Sequence, residues 1–411
     1  MSENNNTVKT PKNFVPTPFS YRQQIELHID DINNFGLGVG RIDGWVVTVP
    51  FAITGETVLA SVYKNHKNYS EADLIRVISP SPSRREPFCP LYGKCGGCQY
   101  QHLDYSAQLE WKRRQIVQLM KRIGGIEFPV EPTIPSPKQS GYRSKLTPHY
   151  ERPRNGEMPV GFFMAERRNK IIDVPQCPIA SDAINAALPL ERERIKKIAP
   201  SLKRGGTLLL RDTLDGICTD NRAVAREKIS DLTYEFYAGE FFQNNPHILP
   251  ALVRYAINMA KGPRFLVDAY CGVGVFALAA SKDFEKIAGI EISEKAIACA
   301  KSNAALNGVS NCEFFAGKAE TIFEGVSKIF DGGDCSAIID PPRSGCDSEF
   351  LQQLCSFAPR KIIYVSCGPD TQARDLAFLV ANGYKLASLQ PFDLFPQTRH
   401  VENVAVLERL S

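Results

Sequence analysis

The 411 residues contain no internal repeat and no low-complexity tract, which excludes an array of small units and leaves ordinary packed domains. No secretory segment opens the chain, and the apolar run around Gly274 is broken by Asp268, too early for a membrane span. The expectation is a soluble, cytoplasmic protein that makes no membrane contact and acts as a monomer, its twelve cysteines reduced or metal-bound. Neither sign of charge dominates, with 49 Lys and Arg against 45 Asp and Glu. The 43% of hydrophobic residues can fill the cores of about three domains.

What charge imbalance there is, is local. Residues 80–125 hold eight Lys and Arg against three Asp and Glu, and this surplus of five exceeds the +4 of the whole chain. A helix expected over Tyr105–Ile123 sets Lys112, Arg113, Arg114, Lys121 and Arg122 on or beside one side, a face suited to phosphate.

Cys367 is the most informative residue. Lys361 to Val365 reads as a buried strand, and the Gly-Pro after Cys367 forces a turn, so the thiol stands at the carboxyl edge of a sheet. Open α/β folds bind ligands there. A buried structural cysteine is the alternative reading. Upstream, Phe265-Leu-Val-Asp-Ala-Tyr-Cys-Gly-Val-Gly-Val-Phe276 reads as a strand, a Gly-rich turn and an apolar helix reaching Ala280. Gly272 and Gly274 admit a ligand close to the backbone. A third glycine and a phosphate-binding Lys-Ser/Thr are both missing, so a ligand without phosphate fits better. About twenty residues on, the strand Ile287–Ile292 carries Glu291, whose carboxylate can accept both hydroxyls of a ribose.

Strands and helices alternate from residue 264 to the end, as in a doubly wound sheet. Helices are expected over Ser293–Leu306, Phe350–Phe357 and Thr371–Ala381, with Ser293 as an N-cap. The apolar strand Ala337–Ile339 runs into Asp340-Pro-Pro-Arg343, and the last strand follows His400 and Glu402. By propensity alone, Glu402 reads more readily as a solvated loop acid.

Four other cysteines form a separate set. Cys89, Cys95 and Cys98 are spaced C-x5-C-x2-C, and Cys177 follows far downstream. Four thiolates suit an iron–sulfur cluster or tetrahedral zinc, and spacing does not separate the two.

Residues 1–17 are polar and aperiodic and read as a disordered tail. Residues 18–79 hold short alternating runs with Gly-rich turns, including Gly36–Pro50 and Thr57–Tyr63, the pattern of a small barrel. Tyr63, Lys64, His66, Lys67 and Tyr69 interleave aromatic and basic groups as single-stranded nucleic-acid surfaces do. Residues 80–245 read as a central, mostly β domain with strand-like Gly141–Thr147, Val160–Phe163 and Thr207–Arg211, and residues 246–411 as the α/β domain.

In order, Phe241-Phe-Gln-Asn-Asn245, Asp268-Ala-Tyr-Cys-Gly-Val-Gly274, Asp340-Pro-Pro-Arg-Ser-Gly345, Ser366-Cys-Gly-Pro369 and His400-Val-Glu-Asn403 resemble the RNA uracil-C5 methyltransferase family over nearly the whole chain. The barrel resembles the TRAM domain, an RNA-binding barrel of the oligonucleotide-binding type. The resemblance implies a multidomain α/β fold: a TRAM barrel, a central mostly β domain with the cysteine site, and a Rossmann-like methyltransferase domain. It implies S-adenosylmethionine as methyl donor, Cys367 as nucleophile, Glu402 as general base, and cofactor contacts from Gln243, Tyr270, Glu291 and Asp340. Tyr142, Arg143 and Lys145 resemble a segment that faces the RNA. For Cys89, Cys95, Cys98 and Cys177 the resemblance favours a 4Fe-4S cluster with a structural or RNA-positioning role.

Two positions depart from the pattern: Val275 stands where many members carry an Asn, and Lys318 replaces a polar contact. The implied substrate is RNA, with 23S rRNA first and the tRNA T-loop second. A radical methylthiotransferase would need a C-x3-C-x2-C triplet, which is missing, and a non-catalytic RNA-binding protein is the remaining alternative.

Overall fold

Alternating Val, Ile, Leu and Ala with short glycine turns at one end of the chain, and strand–helix repeats at the other, produce two compact units. The computed structural model describes residues 10–153, 157–165, 169–202, 204–317, 326, 330 and 332–410. One unit comprises residues 1–93 with 98–108, the other residues 94–97 with 109–411.

In the smaller unit six strands, Gln24–His28, Asp31–Ile32, Leu37–Ile42, Trp45–Pro50, Thr57–Asn65 and Tyr69–Ser79, form one sheet in the order first, fifth, sixth, fourth, third, second. The period of two puts Val58, Ala60 and Val62 on the inner face with Leu27, Val47, Val49 and Ala72. Gly40 is required where strands approach closely, since a Cβ there would lie 2.1 Å from the His28 carbonyl oxygen. The interleaved aromatic and basic residues are partly engaged with one another. Tyr63 donates to Glu71 Oε2 at 2.6 Å, His66 Nε2 lies 2.7 Å from Glu71 Oε1, and the His66 and Tyr69 rings stack 4.3 Å apart. Of the expected tail, residues 1–9 lie outside the described residues, while the Val15 carbonyl accepts from Asn65 Nδ2 at 2.7 Å.

The larger unit contains small sheets of four, three and two strands, and one sheet of seven. The small sheets agree with a mostly β centre, with Val160–Phe163 a strand as expected. Gly141–Thr147 is strand only at Lys145–Leu146, and Thr207–Arg211 divides between Gly206–Thr207 and Leu210–Thr213. A helix of 17 residues, Asp182–Ile198, packs here although the sequence reading placed none. Its Arg192 is buried and donates to the Val160 and Val174 carbonyls and to Asp173, which joins it to the strands.

The seven-stranded sheet runs in the order Cys312–Ala316, Lys286–Glu291, Phe265–Ala269, Cys335–Ile339, Lys361–Ser366, Glu402–Arg409, Tyr384–Phe392. The first five are parallel, and Glu402–Arg409 runs antiparallel to both its neighbours. The strand order reverses between Phe265–Ala269 and Cys335–Ile339, which creates the crevice where such sheets bind ligands. Helices Glu294–Leu306, Ser348–Phe357 and Pro369–Ala381 agree with the expected ones to within two residues, and Ser293 caps the first through Ala296 N–H.

The helix Tyr105–Gly124 corrects one expectation. Lys112 is not on a phosphate-facing surface: it is fully buried in an ion pair with a fully buried Asp393, and also donates to the Phe395 carbonyl. Arg113 and Arg114 both bind Glu110, and Lys121 pairs with Glu127. Lys112 and Lys121 are thus paired with carboxylates outside residues 80–125, which lowers the basic surplus left for phosphate. Among the described residues no helix is long and apolar enough to cross a membrane.

Candidate active site

The sheet topology brings the singled-out residues to one edge. Phe265–Ala269 ends in the turn Tyr270–Gly274, Lys286–Glu291 ends in Glu291, Cys335–Ile339 in Asp340, and Lys361–Ser366 in Cys367. Glu402 reaches the same edge from the opposite direction, because it begins an antiparallel strand whose next residue, Asn403, pairs with Ser366.

The turn is shaped for a ligand. Tyr270, Gly272 and Gly274 all have positive φ, of 63°, 55° and 88°. A Cβ on Gly272 would meet nothing within 4 Å, so the turn keeps an open face. Glu291 stands beside it, accepting from Gly272 N–H at 3.2 Å and Ser293 N–H at 3.0 Å. Each oxygen retains acceptor capacity for a ribose hydroxyl. Asp268 is fully buried and accepts from Ala277 N–H at 2.8 Å, while its Oδ1 has no partner among the described residues. Burial pushes this carboxyl up to about 8. The open glycine turn and the spare acceptor capacity of Glu291 fit an uncharged nucleoside portion, as S-adenosylmethionine presents.

Tyr270 packs on Phe350 with ring centroids 5.0 Å apart. Gln243 is partly buried in the loop before the helix Leu249–Ala260. Two residues on, Asn245 anchors that loop by donating to the Leu394 carbonyl and Ser136 Oγ. Val275 is the first residue of the helix Val275–Ala279. Lys318 lies outside the described residues.

At the reacting end, Cys367 is partly exposed and faces Glu402, Arg343 and Asp340. Burial and the nearby Glu402 carboxylate push its thiol up to about 11, opposed by a hydrogen bond and the charge from Arg343. Glu402 is only 2% exposed, so it is not a solvated loop acid. Burial and the facing Asp340 hold it well above the usual carboxylate range, with Arg343 opposing, and burial raises Asp340 to about 7. Two facing carboxyls in such surroundings do not both ionise readily, so the pair retains a proton into the neutral range. The sequence reading missed that Arg343 and His400 meet here. Arg343 Nη2 lies 3.4 Å from His400 Nδ1. Only the presence of each in a named motif hinted at it.

The other four cysteines singled out in the sequence, Cys89, Cys95, Cys98 and Cys177, are all partly exposed. Among the described residues, no group of three or more His, Cys, Asp or Glu side chains is placed to hold a metal ion. No step below uses a metal.

A doubly wound sheet, an open glycine turn facing an acidic strand end, and the Asp-Pro-Pro-Arg loop at the switch point define a methyltransferase fold. Comparison with known proteins narrows this class. Residues 219–410 match the tRNA (uracil-5-)-methyltransferase family profile, and residues 20–75 match the TRAM domain. The tRNA (uracil(54)-C(5))-methyltransferase of Schizosaccharomyces pombe is 38% identical, over 96% of this chain and 80% of its own length. The Saccharomyces cerevisiae protein of the same name is 33% identical, over 96% and 75%. The crystal structure of Pyrococcus abyssi tRNA (uracil-54, C5)-methyltransferase in complex with S-adenosyl-L-homocysteine superposes with a TM-score of 0.72 at 27% identity, covering 93% of this chain and 100% of that one. The chain belongs to the tRNA (uracil-5-)-methyltransferase family and is an RNA uracil-C5 methyltransferase with an N-terminal TRAM domain.

Proposed function

We propose that this enzyme methylates C5 of a uridine in tRNA through a covalent adduct between Cys367 and C6 of the base. The observation that carries the reading is the meeting of Cys367 and Glu402 at one sheet edge, with Asp340 and Arg343 facing both.

Carbon 5 of uracil is a poor nucleophile until a thiolate adds at C6. The Cys367 sulfur forms a bond to C6, and the C5–C6 π electrons move toward C5 and the O4 carbonyl as an enolate. S-adenosylmethionine, when bound, would supply an electrophilic methyl group to C5, its S–CH3 bond breaking with the electron pair kept on sulfur so that S-adenosylhomocysteine leaves. Glu402 as carboxylate then removes the C5 proton, the C5–H electrons restore the C5–C6 double bond, and the C6–S bond breaks to release the Cys367 thiolate. A raised pKa suits Glu402 to this work, because a more basic carboxylate is the better acceptor. Gln243, Tyr270, Glu291 and Asp340 are the proposed contacts of the cofactor, with Glu291 on the ribose.

The sequence reading set 23S rRNA before tRNA. The similar proteins described above are all named for uracil 54 of tRNA, which favours tRNA. Mapping 5-methyluridine in tRNA and rRNA from a strain lacking this chain tests the choice: loss from tRNA alone supports it, and loss from rRNA alone restores the first order.

The narrower proposal of a 4Fe-4S cluster on Cys89, Cys95, Cys98 and Cys177 rests on spacing and resemblance alone. Iron and sulfide analysis of anaerobically purified protein tests it. About four irons per chain support it, and an iron-free active enzyme removes it.

A further inference from the structure

The site described above leaves a difficulty at its first step. Burial and two neighbouring carboxyls oppose ionisation of Cys367, and the Arg343 guanidinium beside it is the group that pulls the other way. We propose that Arg343 is the catalytic cation that holds the Cys367 sulfur as thiolate for attack on C6, and that His400 positions the Arg343 guanidinium. This inference rests on the reading of Cys367 as nucleophile.

The backbone geometry ties the two loops together. Thr371 Oγ1 lies 3.0 Å from the Arg343 carbonyl oxygen and 2.9 Å from that of Gly368, the residue after the nucleophile, so one hydroxyl spans both loops. Gly368 is packed so closely on the Arg343 loop that a Cβ would lie 2.9 Å from the Arg343 carbonyl oxygen. The next turn of that loop is fixed as well. Cys346 N–H donates to Asp375 Oδ2 at 2.9 Å, and Arg374 Nη2 donates to the Ser344 and Cys346 carbonyls, each at 3.1 Å. From this anchored backbone the Arg343 guanidinium faces the Cys367 thiol, where its hydrogen bonding and charge favour the thiolate.

His400 completes the arrangement from a different element. Its Nδ1 accepts from Arg343 Nη2 at 3.4 Å, which engages one edge of a guanidinium whose charge also reaches Glu402. The groups facing His400 are Arg343, Arg399, Lys112 and Arg143, all cationic. With burial they hold its imidazole down to about 3, so it stays neutral and keeps a lone pair for Arg343. A protonated ring would present a second N–H and release the guanidinium. Arginine is suited to the role because it stays charged at any working pH and reaches two partners with its fork of donors. The thiol proton leaves to solvent, to which Cys367 remains partly open.

The test is the pH dependence of alkylation at Cys367 by iodoacetamide in the full-length enzyme, read on the Cys367 peptide by mass spectrometry. Arg343→Gln is expected to raise the midpoint by about one pH unit or more and to slow alkylation at neutral pH about tenfold. Arg343→Lys keeps charge without the fork and should shift it less. His400→Phe should shift the midpoint in the same direction, and His400→Asn, which restores an acceptor, should bring it back toward the parent. Unchanged midpoints in both Arg343→Lys and His400→Phe, in protein that still binds S-adenosylmethionine, would overturn the proposal even if Arg343→Gln fails to fold. The result is separable from the underlying mechanism: methylation surviving in Cys367→Ala defeats the nucleophile assignment, whereas an unmoved midpoint defeats only the role of Arg343.

Discussion

Ser366 and Asn403 are paired across the antiparallel strands Lys361–Ser366 and Glu402–Arg409, so the residues flanking the pair, Cys367 and Glu402, emerge at the same end of the sheet. A register slip of one residue would turn Glu402 to the other face. The buried side chains around the pair resist such a slip. Asn403 Nδ2 donates to Gln372 Oε1 at 2.7 Å, and Gln372 Nε2 returns to the Asn403 and Tyr364 carbonyls.

Asp340 contributes to the acid side of the pH profile. Glu402 must be ionised to take the C5 proton, and burial first, then the facing Asp340, hold its pKa up. Asp340→Asn removes that repulsion, so the acid limb of the single-turnover rate should move to lower pH by about one unit. The rate itself falls if Asp340 also contacts the cofactor, but the position of the limb reports on Glu402. An unmoved limb separates the two carboxyls.

Glu291→Ala should weaken S-adenosylmethionine binding by about 1.5–3 kcal/mol, the range for hydrogen bonds to a charged group. It also strips Gly272 N–H and Ser293 N–H of their acceptor, so the turn itself loosens. Titration calorimetry measures the loss, and parental affinity would remove Glu291 from the cofactor site.

Lys112 distinguishes a buried ion pair from a phosphate contact. Lys112→Ala leaves the Asp393 carboxylate buried alone and should cost about 3–5 kcal/mol of stability. The salt dependence of RNA binding by the folded fraction should not change, because a buried ammonium releases no counterion from RNA. Chemical denaturation and binding at several salt concentrations check the two halves.

Asp268 links stability to pH. Its carboxyl titrates near 8 in the fold against an ordinary 3.8, so the native state holds a proton that the unfolded chain releases between these values. Its contribution is fully present below about 4 and is lost as pH rises through about 8. Asp268→Asn should flatten that part of the stability profile, and denaturation midpoints across the interval measure it. An unaltered slope would show that Asp268 is ionised in the fold.

Much of the site was legible because each group sits where a strand ends. Cys367, Asp340 and Glu291 all follow short branched runs, and period and turn chemistry locate such ends without knowledge of the fold. Glu402 was less legible, since an acid after Thr-Arg-His looks solvated until an antiparallel neighbour covers it. Lys112 was misread because its partner lies 281 residues away, and helical spacing alone cannot show a charge paired across such a distance. The helix Asp182–Ile198 was hidden in a segment whose Pro189 reads as a breaker, and its Arg192 finds its partners only in the folded sheet. The pairing of Arg343 with His400 likewise needs two loops 57 residues apart in sequence.

The division of labour between Cys367 and Glu402 is tested most directly on a denaturing gel with substrate tRNA and methyl-labelled S-adenosylmethionine. Glu402→Gln keeps the shape of the side chain but cannot take the C5 proton, so attack and methyl transfer proceed and elimination stalls. The account predicts a slower protein–RNA band that carries the methyl label and disappears when Cys367 is also replaced by alanine. Turnover of Glu402→Gln at the parental rate, or methylation by Cys367→Ala, would contradict it.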